Sequence, residues 1–399
     1  MTIETPARPA PSSLPPDEEA LFREARRLRR RRWATGLLSA VVALAGAAAI
    51  VAIAMSGGGA TTAANGAGTA GALPNGPLAT LNVAGPLAVA PNGALYVTNV
   101  PGRGVASGNR VLVRLPDGHF RVVAGNGTVG FSGDGGPAVR AELASVSDLV
   151  FAPNGTLYIA DGGRVRLVGR NGVIRTIVGN GRPLRTIASG TPALSADLGT
   201  TQSPGDPLRI ALSPAGQLYI ATGESQILKL TAAGRLDTVR SVIASGPDRG
   251  PLGGPYPIAV DAHGNIDVGG GDGWAIWQVA PSGIAHLVSG SARGSGGTFP
   301  ILQPGPGGAI YAAIGAIFRI QPRKLVPVPT FNRPLAAINE RGLDGQNFPL
   351  TYFAFSAHGT LYADDLPGAI SGQEMHQQLL SITSGHASLL WQETNATPK

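Results

Sequence analysis

One short unit recurs six times between residues 87 and 364, and it confines the chain to few folds. The unit is an apolar run, a turn ending in glycine, and a second apolar run that usually carries tyrosine. It reads LAVAPNGALYVT (87–98), LVFAPNGTLYIA (149–160), IALSPAGQLYIA (210–221), IAVDAHGNIDVG (258–269), ILQPGPGGAIYAA (301–313) and FAFSAHGTLYAD (353–364). Each copy is a β-hairpin, because two runs of period-two or continuous apolar character flank one tight turn. The turn glycines Gly93, Gly155, Gly216, Gly264, Gly308 and Gly359 stand where the backbone needs positive φ.

A third apolar run follows each hairpin: VLVRL, RVRLVG, ILKLT, AIWQVA, AIFRIQ and LLSIT. A fourth follows a second turn: HFRVVAG, VIRTIVG, LDTVRSVIAS, IAHLVSG, LVPVP and ASLLWQ. Four antiparallel strands repeated six times predict an all-β, six-bladed β-propeller over residues 74–399. A four-stranded sheet cannot bury both faces alone, so the blades stack around an axis. The 58 glycines and 33 prolines suit many short strands and tight turns. For ring closure, Pro77–Val83 (PLATLNV) is expected to add a strand to the last blade. The alternative is that Ala387–Gln392 completes that blade by itself.

Ala34–Met55 carries no charge and is mostly Ala, Val, Leu and Ile. As a helix it would span about 33 Å, enough for a bilayer core of about 30 Å. Seven arginines between Arg23 and Arg32 precede it with Trp33, and no Lys or Arg follows until Arg103. This asymmetry predicts one transmembrane helix, the N-terminus in the cytoplasm and the bulk of the chain outside. Ala52-Ile53-Ala54 also resembles a cleavage site, so a removed signal peptide is the competing reading. Residues 1–33 form a basic cytoplasmic segment, whose arginines read as a topology signal rather than a lipid-binding patch. Residues 56–73, rich in Gly and Ala, read as a flexible tether.

The formal charge of +7 raises the question of nucleic acid. The basic residues beyond Arg32 are diluted along the chain and form no dense stripe, so nucleic-acid binding is not expected. The absence of cysteine excludes disulfides, zinc–thiolate sites and cysteine nucleophiles.

Two segments carry a family resemblance. GNGTVGFSGDGGPAVRAEL (125–143) resembles the blade connections of bacterial NHL-repeat proteins, and ADGG–RVRLV (160–168) resembles their passage from second to third strand. The resemblance covers roughly residues 78–392, strongest in the first two blades. It implies a six-bladed domain that binds protein or ligand, and no particular chemistry.

Other motifs reduce to turn chemistry. Gly125-x-Gly127-x-x-Gly130 has dinucleotide-fingerprint spacing, but Phe131–Pro137 cannot form the helix that fingerprint needs. Asp134, Asp161, Asp272 and Asp344 each precede glycine, as turn residues do. No metal or other cofactor is expected; a divalent metal enters only with an enzyme reading. Glu374-Met375-His376 is the chain's one Glu-x-His, in the long insertion of the last blade. Some six-bladed propellers are metal-dependent lyases or lactonases, which makes Glu374 and His376 the catalytic candidates.

Counting back five residues from Pro153 and Pro214 gives Asp148 and Arg209, opposite charges on neighbouring innermost strands. They read as a polar ligand contact or as an ion pair plugging the channel. The loops joining second to third strands gather on one face and add Asp161, Arg164, Glu224, Asp272, Asp364 and Asp365 as ligand-binding candidates. The expected function is a membrane-anchored, extracytoplasmic binding module or scaffold for a protein, peptide or envelope glycan.

Overall fold

The computed structural model describes residues 85–99, 109–199, 208–222, 226–239, 257–270, 275–289, 300–314, 316–322, 324–342, 350–365 and 378–392, all within the unit Thr69–Lys399. They form six antiparallel sheets in chain order, each with strands paired first to second to third to fourth. The innermost strands are Leu87–Val89, Val146–Phe151, Arg209–Leu212, Ile258–Val260, Ile301–Pro304 and Leu350–Phe355. Each packs against the innermost strands of the two neighbouring blades, and the first meets the last, so the sheets close a six-bladed ring.

The repeat works as its spacing predicts. At the first hairpin Gly93 adopts φ 86°, its N–H donates to the Ala90 carbonyl at 2.8 Å, and Ala90 N–H donates to the Ala94 carbonyl at 2.9 Å. The same two bonds recur around Gly155, Gly216, Gly264, Gly308 and Gly359, all at positive φ. The backbone there lies where a Cβ is strained, which is why glycine recurs while its neighbours vary.

Side chains alternate across each blade, so both faces are apolar, and six separate clusters of buried residues fill the six gaps between blades. The repeat tyrosine sits in these gaps. Tyr96 of the first blade meets Phe151 of the second with ring centroids 4.6 Å apart, and Tyr311 meets Phe355 across the fifth gap, also at 4.6 Å.

The connection 125–145 straps the second blade's outer edge. Ala138 N–H donates to the Gly172 carbonyl at 2.8 Å and Ile174 N–H to the Gly136 carbonyl at 3.0 Å. In the third blade the equivalent strap becomes a short fifth strand, Thr191–Pro192, paired with Arg235–Leu236. Both straps cover an edge that would otherwise offer free backbone groups.

Two features bear on the sequence reading. The last blade is complete from its own chain, with strands Leu350–Phe355, Leu361–Asp365, Gln378–Thr383 and His386–Gln392. Its fourth strand is the Ala387–Gln392 run; Pro77–Val83 lies outside the described residues. The second is a helix over Pro329–Gly342 after the fifth blade, which has no counterpart in the repeat. It wedges Phe331 and Leu335 into the gap between blades five and six. Among the described residues no helix is long and apolar enough to cross a membrane. The segment 34–55, the linker 56–73 and the basic segment 1–33 all lie outside them.

One blade breaks the tyrosine rule. In the fourth, Asp267 occupies the tyrosine position, fully buried, and Gln278 Nε2 donates to its Oδ1 at 2.9 Å while Oδ2 has no partner among the described residues. Burial pushes its carboxyl up to about 7, only partly opposed by Gln278 and reinforced by the nearby Asp261 charge. Its ordinary value is 3.8, so between about pH 4 and pH 7 the folded state keeps a proton that the unfolded state has lost. Stability therefore falls as pH rises through that window, and the cost is complete above it. Asp267→Asn removes the cost: the variant should melt several degrees higher than the parent at about pH 8 and nearly equal to it at about pH 4. Thermal melts across that range check this, and parallel pH profiles for both proteins would refute it.

Candidate functional site at the channel mouth

The count that located Asp148 and Arg209 applies to all six turns. It gives Pro86, Asp148, Arg209, Pro257, Ile301 and Tyr352 at equivalent positions, one per blade. The pairings Asp148 with Ala160, Arg209 with Ala221, Ile301 with Ala313 and Tyr352 with Asp364 place these residues at one level of the ring. In blades two and six a bulge inserts Ser147 and Thr351 just before that level. The level lies at the start of the innermost strands, on the face that carries the second-to-third-strand loops.

Arg209 reaches across the axis. Its Nη1 donates to the Ser147 carbonyl of blade two at 2.6 Å, and its guanidinium lies 5.8 Å from the Tyr352 ring centroid in blade six, the blade opposite its own. A cation over a tyrosine face is attracted by the ring quadrupole. The Arg209 Nε is buried and has no hydrogen-bond partner among the described residues. The guanidinium therefore holds donor capacity that these residues do not use.

Asp148 joins blade two to blade three. Its Oδ1 accepts from Leu149 N–H at 2.9 Å and its Oδ2 from Ile210 N–H at 2.9 Å, while Ser147 Oγ donates to the Leu208 carbonyl at 2.8 Å. The side chain is half-buried, with protein packed closely around it. That enclosure pushes its carboxyl up to about 6, against Arg209 and the two amides. Arg209 acts on it through space; each partner is held by the other's backbone. The pair thus fastens adjacent blades, and the guanidinium extends toward the Tyr352 ring of the opposite blade.

The remaining candidates separate from this cluster. Asp161 is fully buried: its Oδ1 accepts from Ala144 N–H at 2.6 Å and Ser145 N–H at 2.9 Å, and its Oδ2 lies 3.6 Å from Arg166 Nη1. Arg166 is also fully buried, donating to the Glu142 and Ser132 carbonyls and, at 2.7 Å, to Asp134 Oδ1. Burial would raise the Asp134 carboxyl, but hydrogen bonds from Arg166 and Thr176 outweigh it and hold it low. The Asp134-Gly turn therefore anchors the strap. Arg164 donates to the Asn180 carbonyl at 2.8 Å and stacks 3.7 Å from the Phe131 ring centroid. Gly181 has φ 75°, and a Cβ there would meet the Arg164 guanidinium, so a side chain at that position would be strained and would displace the arginine. Arg110 and Gly127 repeat this arrangement one blade earlier.

Asp364 is buried on the last blade's second strand, opposite Tyr352, and Asp365 lies opposite Leu350 and Gln378. Glu224, Asp272, Glu374 and His376 lie outside the described residues. Among the described residues no three His, Asp or Glu gather as metal ligands. Tyr352 is the site residue that sequence reasoning missed, although the same five-residue count on the last turn finds it.

Residues 119–196 match the family model of the Teneurin NHL domain. The domain is an NHL-type β-propeller. No curated protein matches the sequence. Similar solved structures include a catalytically inactive virginiamycin B lyase from Staphylococcus aureus with quinupristin, at 13% identity over 76% of this chain and 93% of that one, TM-score 0.43. A putative gluconolactonase is similar at 14% identity over 70% and 84%, TM-score 0.43. A luciferin-regenerating enzyme is similar at 12% over 74% and 89%, TM-score 0.44. Nothing about chemistry follows from these likenesses.

The NHL propeller carries its own control for the buried charges. In blade three the positions of Asp134, Asp161 and Arg166 hold Ser189, Thr222 and Leu228, all three changed together. A charged set exchanged as a unit for a neutral one is a packing solution, since breaking a buried pair by removing one partner is what costs most. Arg166→Leu alone should destabilise by about 3 kcal/mol, stranding Asp161 in the interior. The triple variant Asp134→Ser, Asp161→Thr, Arg166→Leu should recover most of that loss. Chemical denaturation of both variants checks this; a triple variant weaker than the single would refute it.

Proposed function

We propose that this NHL-type propeller is a binding module that recognises an acidic group of its partner at the channel mouth, and that it performs no catalysis there. The observation that carries this reading is Arg209: a guanidinium on the axis, stacked toward Tyr352, with a buried Nε–H that nothing among the described residues accepts. A carboxylate accepts a guanidinium edge through two parallel hydrogen bonds, so a Glu or Asp side chain of a protein or peptide, or an acidic envelope glycan, fits the donor left over. Several second-to-third-strand loops are short and glycine-rich in sequence, which suits a partner that covers the face and inserts one group.

The apolar segment 34–55 with its arginine flank supports a single-pass anchor with the propeller on the extracytoplasmic side. Protease added to intact cells should then degrade the propeller and leave a short anchored stub; complete protection would overturn the placement.

Capture from a cell-envelope extract tests the site. The full chain as bait should retain a partner that Arg209→Ala and Arg209→Lys baits lose by about tenfold, because lysine keeps the charge and not the fork. The variants should melt within a few degrees of the parent, since Arg209 is only half-buried. Equal capture by all three baits would remove the channel mouth from the binding reaction.

A further inference from the structure

The face opposite the channel-mouth loops holds a second concave site, unrelated to Arg209. It is a cavity of about 590 Å³ between blades one and two, the size that small-molecule sites occupy. Its apolar wall is Tyr96 and Phe151, edge to face at 4.6 Å, with Leu157 and Val168 beside them. Its rim is formed by the hairpin turns, with Asn92 and Asn154 in equivalent positions and Arg170 from the next turn.

The polar groups at this rim have one character. Asn92 Oδ1 accepts from Ala94 N–H at 3.1 Å and Asn154 Oδ1 from Thr156 N–H at 3.0 Å, so both amide oxygens are engaged. Among the described residues, the two Nδ2 groups donate to nothing and Arg170 has no hydrogen bond or ion pair. No carboxylate among them lines the cavity. A concave site whose rim offers amide donors and one cation, with no carboxylate in its lining, is complementary to an anion.

The chain shows what the aromatic wall accepts. The gap between blades five and six has the same tyrosine–phenylalanine pair, and there a third ring, Phe331, packs with its centroid 5.4 Å from that of Phe355. In the gap between blades one and two the described residues supply no third ring. Nor does the repeat demand this furnishing. One gap further on, the phenylalanine position is Leu212 and the asparagine position is Ala215.

We propose that this cavity binds a small aromatic carboxylate, its ring against Tyr96 and Phe151 and its carboxylate on Arg170 and the two asparagine amides. The ring supplies burial and offset aromatic contact, and the charged hydrogen bonds fix its orientation.

Titration calorimetry with the full-length chain tests the assignment. The probes are 3-phenylpropionate, its primary amide, propionate and the tripeptide Gly-Gly-Phe. Phenylpropionate should bind with a Kd below about 1 mM, and the amide and propionate should each bind at least about tenfold more weakly. Arg170→Ala should weaken phenylpropionate about tenfold. So should Asn154→Asp, which keeps the oxygen that caps the turn but adds a negative charge, while Arg209→Ala should leave the affinity unchanged. Both rim positions are exposed, so the variants keep the fold. Absence of saturable heat up to about 10 mM, equal binding of acid and amide, or indifference to both rim variants would overturn the proposal. Tighter binding of Gly-Gly-Phe than of phenylpropionate would overturn the small-molecule assignment in favour of a peptide C-terminus.

Discussion

Everything in this domain depends on the burial of both faces of every blade. A four-stranded sheet with apolar residues on two sides has no stable existence in water, and only a neighbour on each side satisfies it. Six gaps, each with its own cluster of buried Leu, Ile, Val and aromatic side chains, meet that requirement around a closed ring. The gaps are not identical in content. Most use the repeat tyrosine, one adds Phe331 from an inserted helix, and the gap between blades four and five replaces tyrosine with the buried Asp267–Gln278 pair. Each gap is an independent packing problem, so a change in one can be solved locally without disturbing the ring.

The charged residues follow the same logic. Arg166 is enclosed because the strap 131–145 folds back over the second blade and supplies two carbonyls and Asp134 to it. Blade three solves the same place with Leu228 and a strap that pairs as a strand. At the axis, where equivalent positions of six blades converge, Arg209 keeps a buried Nε–H with no partner among the described residues.

Much of the fold was legible in the repeat. The turn glycines, the strand order and the blade number all follow from one pattern, and the five-residue count places Asp148 and Arg209 correctly on adjacent innermost strands. The helix Pro329–Gly342 was not legible: it lies outside the repeat and contains Pro334, which reads as a breaker. Ring closure was not legible either, because two apolar segments could each add a strand to the last blade; the Ala387–Gln392 run does so, and Pro77–Val83 lies outside the described residues. Asp161 and Arg164 read as exposed turn residues, since Asp-Gly-Gly-Arg is ordinary loop chemistry. Their contacts come from the upstream strap, Ala144 and Ser145 for Asp161 and Phe131 for Arg164, which local spacing does not encode. Tyr352 was within reach of the same count and needed only its extension to the last blade.

The path of the chain through the ring has a mechanical consequence. The first described strand, Leu87–Val89, lies at the axis, and the last, His386–Gln392, lies at the rim. A load applied through the N-terminal side therefore falls on a strand gripped by its own hairpin partner and by blades two and six at once, in shear along the axis. A load on the opposite side meets a single row of edge hydrogen bonds that open one after another. The domain is thus polarised, stiff where the chain enters and peelable where it leaves.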